Sequence, residues 1–151
     1  MSIETPEQLE GLRRAGAVVA EVLRVLEAAV RPGVTTGELD ALAAETMAAH
    51  GARSGPIITY RYPGAVCLSV DDEVVHGIPG HRVLREGELI TLDVALELDG
   101  YHADAATTVA VGAADAATQR LQAAPAPPCG PASAPSGPAP RCVRSAPPAS
   151  A

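Results

Sequence analysis

The residues best able to do chemistry lie between Leu89 and Val111, a stretch reading LITLDVALELDGYHADAATTVAV. Side chains alternate faces along a strand. One face of Leu89–Leu98 is therefore Ile90, Leu92, Val94, Leu96 and Leu98, all apolar. The other is Leu89, Thr91, Asp93, Ala95 and Glu97. Asp99-Gly100 is a strong signal for a two-residue hairpin turn. With that turn, Leu98 opposes Tyr101, Glu97 opposes His102, Ala95 opposes Asp104 and Asp93 opposes Ala106. Asp104 thus becomes a diagonal neighbour of Asp93 on one face, at roughly 7–8 Å between backbones. Two carboxylates so placed repel unless a positive group lies between them. The hairpin holds no Arg; the nearest are Arg85 and Arg120. One divalent cation, or two about 3.5–4 Å apart, would fit between the carboxylates, and Asp oxygens suit Mn, Mg, Co or Zn. The spacing alone leaves a second reading open, a solvated sheet face on which Asp has no special role.

Two helices and further strands must position this hairpin. Thr5, Pro6 and Gln8 form a capping box with Pro at the first helical position. Leu9, Leu12, Gly16, Val19, Leu23, Leu26 and Val30 then recur at steps of 3 and 4, an amphipathic stripe that Arg31-Pro32-Gly33 ends. Thr35 to Glu38 is a second capping box. It opens a shorter helix with Leu39, Leu42 and Met47 on one face and His50-Gly51 at its end. Strands are expected at Ala65–Val70, at Val74–His76, at Leu89–Leu98 and at Tyr101–Val111. Helices followed by an antiparallel meander give an α+β fold, with the helices packed on one face of the sheet. Of the other histidines, His102 is expected to pair across the strands with Glu97, His50 to sit at a helix C-terminus favoured by the dipole, and His81 to lie in a loop.

Composition narrows the class. The chain has 151 residues, 47 % hydrophobic but only 2 % aromatic, with no Phe and no Trp. All 11 basic residues are Arg, and with 18 acidic residues the net charge is −7. That balance excludes a nucleic-acid binder held by phosphate contacts. No apolar run reaches the roughly 18 residues of a membrane span, and the polar, acidic start MSIETPEQLEGLRR is no secretory leader. Three Cys without paired spacing indicate neither a disulfide framework nor a zinc knuckle, and a cytoplasmic setting is expected. The character of the chain changes near Gln122. Residues 123–151 hold 9 Pro, 9 Ala and 4 Ser, and no acidic residue, Leu, Ile or aromatic. Such a segment is expected to be a disordered tail, set against a domain spanning 1–122.

Three ordered motifs carry a family resemblance. Glu73-Val74-Val75-His76-Gly77-Ile78-Pro79, then Gly87 to Val94 (GELITLDV), then Asp99-Gly100-Tyr101-His102-Ala103-Asp104 closely resemble successive motifs of type I methionine aminopeptidases. Tyr62-Pro63 followed by Val66 to Val70 (VCLSV) resembles the family's preceding segment. The likeness covers about residues 3 to 121. It implies the N-terminal half of a pita-bread fold, in which two similar α/β halves surround a dinuclear metal centre. It implies removal of the initiator Met from nascent polypeptides, through a water or hydroxide bridging two divalent ions (Co, Mn, Fe or Zn). Asp93 and Asp104 resemble the first two metal ligands. His76 resembles the histidine that hydrogen-bonds substrate during turnover. Tyr60 and Tyr62 lie in the segment that helps line the methionine pocket. The implied partners are Met-initiated peptides of nascent chains, with no nucleic acid and no membrane. Creatinase-like, proline-specific peptidases share the Asp pair, but the His76-Gly77-Ile78-Pro79 motif favours the methionine enzyme.

The same resemblance calls for a His and two Glu ligands from a second half. After Arg120 the sequence has no His and no Glu. The expectation is a truncated chain that is inactive alone. The alternative is a non-catalytic binding module or pseudoenzyme fragment. Pro, Ala, Arg, Gly and Ser dominate wrong-frame translation of GC-rich DNA, which points to a frameshift or a degraded gene near codons 115–123. Reading the coding DNA one base out of frame past codon 115 is expected to reveal the missing His and Glu motifs. Their absence from both shifted frames refutes the frameshift.

Overall fold

The computed structural model describes residues 3–113 together with Ala116 and Thr118. The expected tail at 123–151 and its boundary at 122 lie outside the described residues.

Both capping boxes form. The Thr5 hydroxyl accepts from the Gln8 amide while the Gln8 side chain accepts from the Thr5 amide, opening α1 (Pro6–Ala29). Thr35 and Glu38 repeat the arrangement and open α2 (Thr36–Ala49), which His50 caps at its C-terminal end. The buried stripe of α1 is Gly11, Ala15, Val18, Val19, Val22 and Leu26. It lies to one side of the stripe read from the leucines, and Leu9 is exposed. The small residues decide this rotation. A Cβ at Gly11 would stand 2.3 Å from the Tyr101 ring, so the missing side chain is what lets the helix lie against the sheet.

Two short elements escaped the sequence patterns. β1 (Arg53–Ser54) runs directly into α3 (Gly55–Tyr60), whose N-terminus is capped by the Ser54 hydroxyl. They are too short to show a periodicity. Then come β2 (Cys67–Val70), β3 (Leu89–Leu98) and β4 (Tyr101–Ala110). β3 is the centre of the antiparallel sheet. β4 pairs along its whole length on one side, while β1 and β2 share the other side end to end. The segment Val74–His76 forms no strand. Val74 and Val75 are exposed, and the backbone turns through left-handed residues at Asp71 and His76 that no ladder accommodates.

The β3–β4 register agrees with the reading from the turn, from Leu98↔Tyr101 to Leu89↔Ala110. Asp99 (φ 52°) and Gly100 (φ 85°) are both left-handed, the signature of a type I′ turn. The apolar face of β3 is fully buried at Ile90, Leu92, Val94 and Leu96, beneath α1 and α2 residues such as Val22, Leu26, Leu39 and Met47. The α+β class, with helices on one face of an antiparallel sheet, is what the chain adopts. Leu92→Ala is expected to cost about 2–5 kcal/mol, because the site cannot collapse between a helix layer and a paired strand. Chemical denaturation of the purified chain measures it.

Candidate functional site

The face of β3 opposite the helices carries the chemistry. Asp93 sits mid-strand, half-buried, with Cys67 of β2 on one side and Ala106 of β4 on the other. Asp104 opposes Ala95, so the two carboxylates are diagonal neighbours on one face, as the turn dictates. They lie close enough for Asp104 to act on Asp93 as both hydrogen-bond partner and like charge. A cavity of about 610 Å³ opens over them. His76, Tyr62, Cys67 and His102 also line it, and Tyr60 stands at its rim, 81 % exposed. All five candidate residues, His76, Tyr60, Tyr62, Asp93 and Asp104, thus border one space.

The wall opposite β4 is built from the chain between α3 and β2. Arg61 ends α3 in the left-handed region (φ 54°) and turns the chain back toward the sheet. From α2, one oxygen of Asp40 accepts the Ala65 and Val66 amides at 2.7 and 3.0 Å. The Ser54 hydroxyl donates to the Ala65 carbonyl at 2.7 Å. These bonds deliver Tyr62 and Cys67 to the cavity. The loop between β2 and β3 carries His76 and is fastened at both ends. The Asp71 carboxylate accepts the Leu89 amide, and Glu73 accepts the Val70 amide and pairs with Arg82. Further on, the Thr36 hydroxyl accepts the Gly80 amide at 2.9 Å.

Burial, and then the Asp104 charge beside it, push the Asp93 carboxyl above its ordinary range, with His76 pulling the other way. Burial likewise raises the Cys67 thiol and the Tyr62 phenol, so both stay protonated near neutral pH. Among the described residues, no Arg lines the cavity. Arg53, on the neighbouring strand, is committed elsewhere. Its guanidinium donates at 2.7 Å to Glu97, which is itself only 6 % exposed. Arg53 first, and then the Gly100 amide, hold the Glu97 carboxyl below its usual value. His102 does oppose Glu97 in the ladder, as expected, but the close partner of Glu97 is Arg53, and His102 turns out to line the cavity. Cys67 and His102 are the site residues that the sequence reading left without a role here. Strand parity counted from the turn could have found His102, whereas Cys67 shares the face of Asp93 through the β2–β3 register, which no local signal supplies.

A like-charged carboxylate pair with no Arg beside it among the described residues fits a divalent cation. Among the described residues, no group of three or more His, Cys, Asp or Glu side chains converges to hold an ion unaided. The donors present therefore fit a partial coordination shell, two carboxylates offered from one face. His50 caps α2 and His81 is exposed in the loop after Gly80, and neither lines the cavity.

The raised Asp93 carboxyl has a stability consequence. A carboxyl whose folded value lies above its unfolded value opposes folding once it ionises, so the burden is absent at low pH and grows as pH rises through the carboxylate range. With chelator present, Asp93→Asn is expected to raise the melting temperature at pH 7. The gain should vanish as pH falls below about 4. Thermal melts across pH test it, and a variant less stable than wild type at pH 7 contradicts it.

Comparison with known proteins agrees with this geometry. Residues 10–124 match the model of metallopeptidase family M24. The chain is 44 % identical over 115 residues to a methionine aminopeptidase of Staphylococcus epidermidis, covering 76 % of this chain and 46 % of that protein. It is 41 % identical over 123 residues to one from Helicobacter pylori, covering 82 % and 49 %. The crystal structure of methionine aminopeptidase from Thermotoga maritima superposes with a TM-score of 0.76 at 33 % identity, covering 80 % of this chain and 49 % of that one. A prolidase from Pyrococcus furiosus shares the fold at 17 % identity, with a TM-score of 0.65. The chain spans about half the length of the curated relatives it matches. With its paired carboxylates, its His-Gly-Ile-Pro loop and this match over most of its length, the chain belongs to metallopeptidase family M24.

Proposed function

We propose that this chain supplies the N-terminal half of a methionine aminopeptidase site, which removes the initiator Met from nascent polypeptides. The observation that carries the reading is the meeting of Asp93, Asp104 and His76 at one cavity. Asp93 and Asp104 would hold divalent ions, two by the family's pattern, drawn from Co, Mn, Fe or Zn. The chemistry such ions supply is Lewis-acid activation of water and of a carbonyl. The rest falls to the chain's own groups. His76 lies where an imidazole can hydrogen-bond a peptide held over the carboxylates. The rings of Tyr60 and Tyr62, with the Cys67 thiol, offer an apolar wall for an unbranched thioether side chain. Free Cys67 and the unpaired Cys count support a reducing, cytoplasmic setting.

Two carboxylates leave most of an ion's shell to solvent, so binding by this chain alone is weak and the groups that position water are incomplete. A Met-Ala-Ser peptide with Co or Mn is therefore expected to show no detectable turnover by the purified chain. Adding the C-terminal half of the Staphylococcus epidermidis methionine aminopeptidase as a separate polypeptide is expected to produce turnover. Asp93→Ala should remove that turnover. Hydrolysis by the chain alone, abolished by Asp93→Ala, would show that it needs no second half. A mixture that stays inactive while the halves bind each other counts against the aminopeptidase reading and favours a non-catalytic module.

A further inference from the structure

His76 stands in the left-handed region at φ 56°. For a residue with a Cβ that conformation is disfavoured and persists only when the surroundings hold it. The next residue is held on both sides. The Gly77 amide donates to the Ser69 hydroxyl at 3.1 Å, and the Gly77 carbonyl accepts from the Leu68 amide at 2.9 Å. The approach is so close that a Cβ on Gly77 would meet the Leu68 carbonyl oxygen at 2.2 Å. The Ser69 bond thus holds the His76–Gly77 peptide at its N–H end and leaves its other end, the His76 carbonyl, to a further donor. One side chain reaches it. The Tyr62 hydroxyl lies 2.7 Å from the Gly77 carbonyl and 3.2 Å from the His76 carbonyl. Among the described residues it is the one donor to the His76 carbonyl.

We propose that Tyr62 is a positioning residue, whose hydroxyl bridges the His76 and Gly77 carbonyls and so holds the His76 imidazole over the Asp93–Asp104 face. This deepens the methionine aminopeptidase reading and rests on it for what His76 does there. It also divides the role of Tyr62 in two. The ring lines the cavity, while the hydroxyl proton is spent on the loop carbonyls, so toward a ligand the oxygen can only accept. Burial keeps the phenol protonated, so it remains a donor throughout the neutral range.

The test is nuclear magnetic resonance of the 151-residue chain and of Tyr62→Phe, which keeps the ring and removes the hydroxyl. Without metal, the three-bond amide–Hα coupling of His76 reads its φ angle. It is expected to leave its left-handed value in Tyr62→Phe, with Gly77 amide exchange accelerated about tenfold. With Mn²⁺ as probe, the His76 and His102 rings should both broaden in the wild type. In Tyr62→Phe the His102 ring, carried by β4, should keep its broadening while the His76 ring loses most of its own. A purely structural role would change neither ratio. Unchanged coupling and exchange overturn the proposal, as does equal broadening of both rings in both proteins. A Tyr62→Phe chain that fails to fold also overturns it, by showing a general structural role. If Mn²⁺ broadens neither ring in the wild type, the metal reading of Asp93 and Asp104 falls, and the metal-free coupling and exchange alone decide the role of Tyr62.

Discussion

A two-residue turn governs where the two carboxylates of the site end up. Asp99 and Gly100 both take positive φ, and the strands on either side of such a turn have one register. Side chains alternate with a period of two, so a slip of one residue would carry Asp104 through the sheet into the helix-covered core. The slip is opposed from the other face. Ile90, Leu92, Val94 and Leu96 are fully buried, and exposing that row would forfeit the main apolar contribution of the sheet. The hairpin thus holds its two carboxylates on one face through backbone geometry and core packing. Neither constraint involves the carboxylates themselves.

The opposite wall is made differently. Between α3 and β3 the chain has only the four-residue strand β2, and side chains take over the work of a ladder. Asp40 reaches from α2 to the Ala65 and Val66 amides, Thr36 from α2 to Gly80, and Ser69 from β2 to Gly77. Each bond gives a backbone group outside regular structure the partner it would otherwise lack. The consequence is a loop that is exposed yet defined, with three non-glycine residues, Arg61, Asp71 and His76, in left-handed conformations between α3 and β3. Loops held this way can carry functional side chains on a rigid frame.

Much of this was legible from residue types. The capping boxes at Thr5 and Thr35, the β3 strand and the type I′ turn are local signals, each complete within a few neighbouring residues, and each formed as read. The buried face of α1 was not, because leucine spacing marks a helix without fixing its rotation. That rotation was set by Gly11 lying under Tyr101, a contact across ninety residues of sequence. Val74–His76 misled for a related reason. Two β-branched residues suggest a strand, but the fastening of Gly77 by Leu68 and Ser69 overrides that preference. Asp93 and Asp104 could be paired by counting from the turn. Cys67 required the β2 register as well, and nothing local supplies it.

The two faces of β3 stand in opposite energetic positions, and that contrast is the best argument that the polar face is functional. A strand selected only for stability would not place a half-buried Asp beside a second Asp with no Arg of the described residues lining the same cavity. The arrangement raises the Asp93 carboxyl and opposes folding at neutral pH. Arg is available nearby, since Arg53 lies on the adjoining strand, yet it is bound to Glu97, four residues along the same face. The one acidic residue of β3 that needs only structure has its cation, and the one at the cavity is left with another carboxylate. Local conflict of this kind survives where a site requires it and where packing elsewhere offsets it. Here the offset lies on the reverse of the same strand, in the buried row from Ile90 to Leu96. A cation brought to Asp93 and Asp104 would relieve the conflict, so ion binding and the stability of this hairpin are thermodynamically linked.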